Sequence, residues 1–157
     1  MRAISLAITI LVFWLILSGH YTPFLVAIGV ISVLAVVALS IRMGVLDAEG
    51  HPVHLLPAAV TYVPWLLWEI LKSAWSVSKA ILSPRLPISP TMTVVTASQR
   101  TNAGLATYAN SITLTPGTIT VGVRGNEFTV HALVREGADD VESGGMDQRV
   151  RQFEGGA

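Results

Sequence analysis

A chain of 157 residues that is 52% hydrophobic and only 13% charged is far poorer in charge than a soluble domain, where about a quarter of residues are charged. Ten basic residues balance ten acidic ones, so an apolar chain without net charge is not disordered and offers no basic footprint for nucleic acid. The absence of cysteine excludes disulfides, thiol chemistry and cysteine-ligated metals, and leaves the redox compartment unread.

The charges are unevenly placed: seven lie in residues 1–82 and thirteen in residues 83–157. The chain therefore reads as a membrane part followed by a small water-facing part. Between Arg2 and Arg42, 39 residues carry no charge. A spanning helix needs about 20 apolar residues, so this stretch is long enough for two crossings. Gly19-His20-Tyr21-Thr22-Pro23 is the natural break. Thr22 suits a helix N-cap, and Pro23 suits the first helical position. The pattern predicts a transmembrane helical hairpin within residues 1–42, with helices over about 3–18 and 23–41. A secretory signal peptide with Met1-Arg2 as its basic end is the alternative for the first run. The length of that run, the lack of a small-residue cleavage motif and the second run that follows at once argue against it. Trp14 and Tyr21 fall where amphipathic aromatics meet the far interface, and Arg2 and Arg42 place both ends in the cytoplasm. Ala27, Gly29, Ser32, Ala35 and Ala38 allow close helix neighbours on more than one face of the second span.

Residues 43–90 combine a polar connector (Asp47, Glu49, Gly50, Pro52), a third apolar segment over about 55–82 and a proline-rich linker, Ser83 to Pro90. Glu69, Lys72, Ser73, Ser76 and Lys79 share one helical face of that segment, and Trp65, Trp68 and Trp75 mark a headgroup layer. Two geometries compete: a third span, which puts the C-terminal part outside, or an amphipathic interfacial helix on the cytoplasmic surface. The polar face and the tryptophans favour the second. Glu69 and Lys72 are the only charges close to membrane depth. They read either as part of an ion path or as a surface pair at i, i+3.

Residues 91–157 predict a small cytoplasmic α+β domain of β-α-β-β order, ending in a flexible tail. Thr91 to Ala97 is β-branched and short, hence a strand. Thr101 to Asn110 is a short helix capped at Thr101 or Asn102, with Leu105, Tyr108 and Ile112 facing inward, and Thr115-Pro116-Gly117 is a turn. A hairpin follows around Gly125-Asn126, in the register Arg124 with Glu127, Val123 with Phe128, Val121 with Val130 and Ile119 with Ala132. That register makes one face uniformly apolar and sets His131 on the other. Glu136, Asp139, Asp140 and Glu142 read as a solvated acidic loop, and a short helix over about 146–154 is the last element.

The residues offer no reaction centre: no catalytic, cofactor-binding or metal-ligating set is expected. His51 and His54 are split by Pro52 and lack a third ligand, and His20 and His131 stand apart. Asp139, Asp140 and Glu142 do not match a calcium loop. The glycines follow no phosphate-loop spacing, and no serine sits in a nucleophile elbow. The hairpin holds no ionisable group for an ion path.

Asn110 to Thr118 (NSITLTPGT), with Val130-His131-Ala132-Leu133 (VHAL) downstream, resembles the E subunit of the Mrp-type multisubunit Na+/H+ antiporter. The likeness covers nearly the whole chain; the short Met146–Ala157 tail departs from it. The resemblance implies a multi-pass subunit of the bacterial inner membrane with its C-terminal domain in the cytoplasm. It implies as partners the lipid bilayer and the other antiporter subunits, including large subunits like those of complex I. It carries over no catalytic residue. The NSITLTPGT segment reads structurally, with Asn110 and Ser111 ending the helix and Pro116-Gly117 turning the chain. The expectation is a non-catalytic accessory subunit that supports assembly and stability of a sodium/proton antiporter. The alternative is a membrane-anchored regulatory or ligand-binding module outside any transporter, with a pocket in residues 91–135.

Overall fold

A computed structural model describes residues 2–46 and 55–155. The connector residues Asp47 to Pro52, together with His51 and His54, lie outside the described residues. The chain divides into two compact units, Met1–Val53 and His54–Ala157. Among the described residues there are six helices and one antiparallel three-stranded sheet.

The first unit is a helical hairpin of α1 (Arg2–Ser18) and α2 (Pro23–Arg42). Thr22 is the N-cap of α2, its hydroxyl accepting from the Leu25 N–H at 3.4 Å, and proline opens the first turn. With 20 residues, α2 is long and apolar enough to cross a membrane. At 17 residues, α1 rises about 26 Å, slightly less than a hydrocarbon core of roughly 30 Å. Gly29, Val33 and Val37, four residues apart, form the buried stripe of α2. The Trp14 indole lies directly over Gly29, where a Cβ would come within 2.6 Å of Trp14 Cδ1. An apolar groove of about 520 Å³ runs along the hairpin, lined by Ile10, Trp14 and Leu17 from α1 and by Leu25, Val33 and Val36 from α2. The link between the helices is held by Tyr21 Oη, which donates to the Leu15 carbonyl at 3.2 Å.

The second unit contains α3 (Leu56–Leu82), β1 (Thr91–Thr96), α4 (Asn102–Leu114), β2 (Thr118–Arg124), β3 (Glu127–Ala132), α5 (Arg135–Glu142) and α6 (Gly145–Glu154). The sheet order is β1-β3-β2, so the central strand is the last to be made. Tyr108, Ile112, Phe128, Val130 and Val150 are fully buried, joined by Ala97, Val141 and Met146. One sheet face is thus covered by α4, α5 and α6.

Three local expectations change. The helix expected over 101–110 starts as read, with the Thr101 hydroxyl accepting from the Gly104 N–H at 3.0 Å. It runs on to Leu114, however, instead of ending at Asn110 and Ser111. It stops because Thr115 precedes Pro116 and is held extended (φ −79°, ψ 112°). The hairpin begins in the expected register, Arg124 opposite Glu127 and Val123 opposite Phe128. A bulge between Thr120 and Gly122 then shifts it, so that Thr120 meets Val130, Ile119 meets His131 and Thr118 meets Ala132. Val121 and Ile119 therefore do not join the apolar face. The cause is polar: Thr118 Oγ1 donates to the Ile112 and Thr115 carbonyls at 2.7 and 3.0 Å, and Thr120 Oγ1 donates to the Ala109 carbonyl at 3.2 Å. The last carbonyls of a helix lack i+4 donors, and the Thr118 hydroxyl supplies one at Ile112.

The acidic segment expected as a loop is the helix α5. Ala138 and Val141, at i, i+3, give it a buried stripe, and Arg135 pairs with Asp139 at 3.2 Å. The last helix, expected over about 146–154, is α6 (Gly145–Glu154), with Met146 and Val150 buried at i, i+4. Gly156 and Ala157 lie outside the described residues.

Candidate functional site

The NSITLTPGT segment is where the second unit grips α3. Ser111 Oγ donates to the Thr107 carbonyl at 2.7 Å, which leaves it as acceptor for the buried Tyr62 hydroxyl at 2.6 Å. Tyr62 stacks on Phe153 of α6 with ring centroids 4.8 Å apart, and the Arg149 guanidinium lies 5.5 Å over the Trp65 ring. Two turns further along α3, Ser73 Oγ donates to the Pro116 carbonyl at 2.5 Å. Gly117, at φ 89°, leaves room for Val77, whose Cγ2 would be 3.0 Å from a Cβ there. Tyr62, Trp65, Ser73 and Val77 lie on one side of α3, while Leu56, Val60, Leu67, Trp68, Leu71 and Trp75 are exposed on the other. Within the motif, Thr113 Oγ1 donates to the Ala109 carbonyl and accepts the Thr120 N–H, and Thr115 Oγ1 donates to the Ser111 carbonyl.

Helix α6 clamps the loop between β1 and α4 with two carboxylates. Asp147 accepts from the Ser98 N–H at 2.8 Å, the Ser98 hydroxyl at 2.6 Å and Gln99 Nε2 at 3.0 Å. Glu154 accepts from the Arg100 N–H at 3.1 Å and the Thr101 N–H at 2.5 Å, which anchors the start of α4. Partial burial pushes the Glu154 carboxyl up, but the bonds from Thr101 and Arg100 and the Arg100 charge outweigh it and hold it below its ordinary value. Burial, reinforced by the Asp147 charge, pushes the Tyr108 hydroxyl up to about 12.

The residues singled out in the sequence are dispersed. Glu69 and Lys72 form an i, i+3 ion pair at 2.8 Å with side chains 22% and 51% exposed. His20 Nδ1 lies 2.9 Å from the Ser18 carbonyl in the hairpin link. His131 lies on the outer sheet face between Met92 and Ile119. Asp139 is tied to Arg135, and Glu142 accepts from the Thr93 hydroxyl at 2.5 Å. Among the described residues no three His, Cys, Asp or Glu side chains gather where they could hold a metal ion. Tyr62, Asp147 and Glu154 carry contacts that sequence reading missed, because each partner lies about fifty positions away in the chain. Helix α6 itself was expected over about 146–154, but the partners of its two carboxylates were not.

The architecture defined so far is an apolar helical hairpin and, in the second unit, an amphipathic helix held by the bonds of a small α+β domain. The chain belongs to the family described as MNHE, Na+/H+ ion antiporter subunit, which matches residues 7–153. It is 32% identical over 123 residues to the Na+/H+ antiporter subunit E1 of Staphylococcus epidermidis, covering 77% of this chain and 76% of that protein. Identity to the Staphylococcus aureus subunit E1 is 29% over 126 residues, covering 79% and 77%. A chain in the structure of the membrane-bound sulfane sulfur reductase, an archaeal respiratory membrane complex, shares the fold. Its TM-score is 0.73 at 25% identity, over 97% of this chain and 98% of that one.

Proposed function

We propose that this chain is a non-catalytic accessory subunit of a multisubunit Na+/H+ antiporter in a bacterial cytoplasmic membrane. It supports assembly and stability there and carries no ions itself. The observation that carries this reading is the family match over residues 7–153. Both α1 and α2 cross the membrane, with Arg2 and Arg42 on the cytoplasmic side. The functional segments are the hairpin of residues 1–42, the connector, interfacial helix and linker of 43–90, and the cytoplasmic domain of 91–157. In this arrangement α3 lies along the membrane surface. Tyr62 and Ser73 turn toward the domain, and Trp68, Leu71 and Trp75 turn toward the headgroups. Its exposed apolar side, flanked by tryptophans, supports that placement. The apolar hairpin carries no ionisable side chain between residues 3 and 41 apart from His20 and Tyr21 of the link, which supports a neighbour's role rather than a conductor's.

The test is a mild-detergent pull-down of the tagged chain from its native membrane, with mass spectrometry of the co-purifying proteins. Large, many-helix antiporter subunits in fixed proportion are expected. Recovery of a lone, well-behaved protein would contradict the reading and favour a membrane-anchored ligand-binding module.

A further inference from the structure

The outer face of the sheet carries an exposed aliphatic patch, and β2 is turned inside out. Met92 and Val94 of β1 stand opposite His131 and Thr129 of β3, and Ile119 of β2 flanks His131 from the other side. Met92, Val94 and Ile119 are 57%, 63% and 46% exposed, and Val121 at the bulge is 54% exposed. An antiparallel sheet with one solvated face ordinarily turns apolar residues in and polar residues out. Here Thr118 and Thr120 point inward instead, and their hydroxyl bonds to the end of α4 hold them there. A one-residue slip would return Ile119 to the core face, but it would also take the Thr118 and Thr120 hydroxyls away from these acceptors. The aliphatic patch is therefore fixed by the fold, and a row of exposed aliphatic side chains on a water-facing domain marks a contact surface.

We infer that this sheet face docks an aliphatic segment of another subunit of the same membrane complex; the inference rests on the accessory-subunit reading. Size and chemistry choose the occupant. Three strands about 4.8 Å apart and six residues of about 3.4 Å give a face of roughly 10 by 20 Å, or about 200 Å². A stable soluble interface takes about 800 Å² from each partner, so this face is too small to hold a freely diffusing protein by itself. It suffices for a neighbour already kept at high effective concentration by a shared membrane anchor. One end of the face carries Arg124 opposite Glu127, a charge-balanced pair, and the rest, Met92, Val94, Ile119, Val121, Thr129 and His131, holds no tryptophan, tyrosine or lysine. Residues suited to headgroups sit on α3 instead, where Lys79 lies 5.4 Å over the Trp75 ring. That contrast points to protein rather than lipid on the sheet. The His131 ring, in the middle of the patch, offers the bound segment one hydrogen bond.

The test places benzoylphenylalanine at Val94 or at Ile119, and at exposed Asp140 of α5 as a control, in the full chain within the native membrane. After irradiation the complex is purified, and adducts are identified by mass spectrometry. The expected result is that positions 94 and 119 both label one and the same other subunit, at least tenfold more strongly than position 140. Adducts to lipid alone, to a second copy of this chain, or none in an intact complex would overturn the inference. A Val94→Lys/Ile119→Lys variant should lower retention of the chain on the complex about tenfold, whereas Val94→Ile/Ile119→Val should leave it unchanged. Equal retention of both variants would also overturn it. If the unsubstituted chain fails to bring down other subunits, the accessory-subunit reading falls; if it brings them down without adducts, only the docking face falls.

Discussion

Tyr62 and Ser111 show how one hydroxyl pair can fix a whole helix. Ser111 gives its proton to the Thr107 carbonyl, so only the tyrosine donates between α3 and α4. Tyr62→Phe removes the donor and leaves Ser111 satisfied, so it should cost about 0.5–1.5 kcal/mol. Ser111→Ala leaves a buried phenol without an acceptor, so it should cost more, about 1–3 kcal/mol. Thermal unfolding of the detergent-solubilised chain checks the order; a larger loss for Tyr62→Phe would contradict the assigned donor. Glu154 makes a second residue-scale prediction. Its carboxyl is held below the ordinary 4.5 in the folded chain. Its contribution to stability is therefore fully present above about pH 4.5 and lost as pH falls through the lower folded value. Unfolding followed between pH 3 and 6 should show this loss, and Glu154→Gln should flatten it. A pH dependence unchanged in Glu154→Gln would contradict the anchoring of the β1–α4 loop by this carboxylate.

At the scale of elements, the hairpin depends on Trp14 seating against Gly29. A leucine at position 29 would drive its side chain into a rigid indole, so Gly29→Leu should separate α1 from α2. The chain has no cysteine, so cysteines placed at Ile10 and Val33, which line the same groove, report the separation by disulfide formation. Their cross-linking should fall severalfold in Gly29→Leu, and undiminished cross-linking would contradict the packing. The helix ends of this hairpin were legible because Thr22 and Pro23 are local signals that act within one turn. The start of α4 at Thr101 was legible for the same reason. The register of β2 was not. Alternation of Ile119, Val121 and Val123 favours one face, but the threonines between them are pulled inward by carbonyls on a different element. The helix α5 was obscured by its acidic residues, although Ala138 with Val141 already carried helical spacing, whereas α6 falls where its sequence placed it. The NSITLTPGT segment was legible as a structural motif, yet its grip on α3 was not. That grip needs Tyr62 and Ser73, which lie 49 and 43 positions from their partners.

At the scale of the molecule, the two units carry different tasks. The hairpin leaves apolar side chains exposed along both helices, and the second unit leaves two further apolar surfaces exposed, the outer side of α3 and a patch on the outer sheet face. A chain that leaves this much aliphatic and aromatic surface uncovered is built to be completed by other components. The central claim is that it completes an antiporter without conducting ions. Glu69 and Lys72 are the charges of the apolar segments best placed to contradict it, and they already neutralise one another at 2.8 Å as a partly exposed pair. Such a pair contributes about 0.3–0.5 kcal/mol to its helix, so removing both should leave the fold and the complex intact. The decisive measurement is sodium-driven proton exchange by the purified complex in liposomes, carrying Glu69→Ala/Lys72→Ala and normalised to assembled complex. Exchange within about twofold of the unsubstituted complex is the predicted result, corresponding to about 0.4 kcal/mol in the barrier. Loss of exchange in a fully assembled complex would contradict the account and place α3 in the ion path.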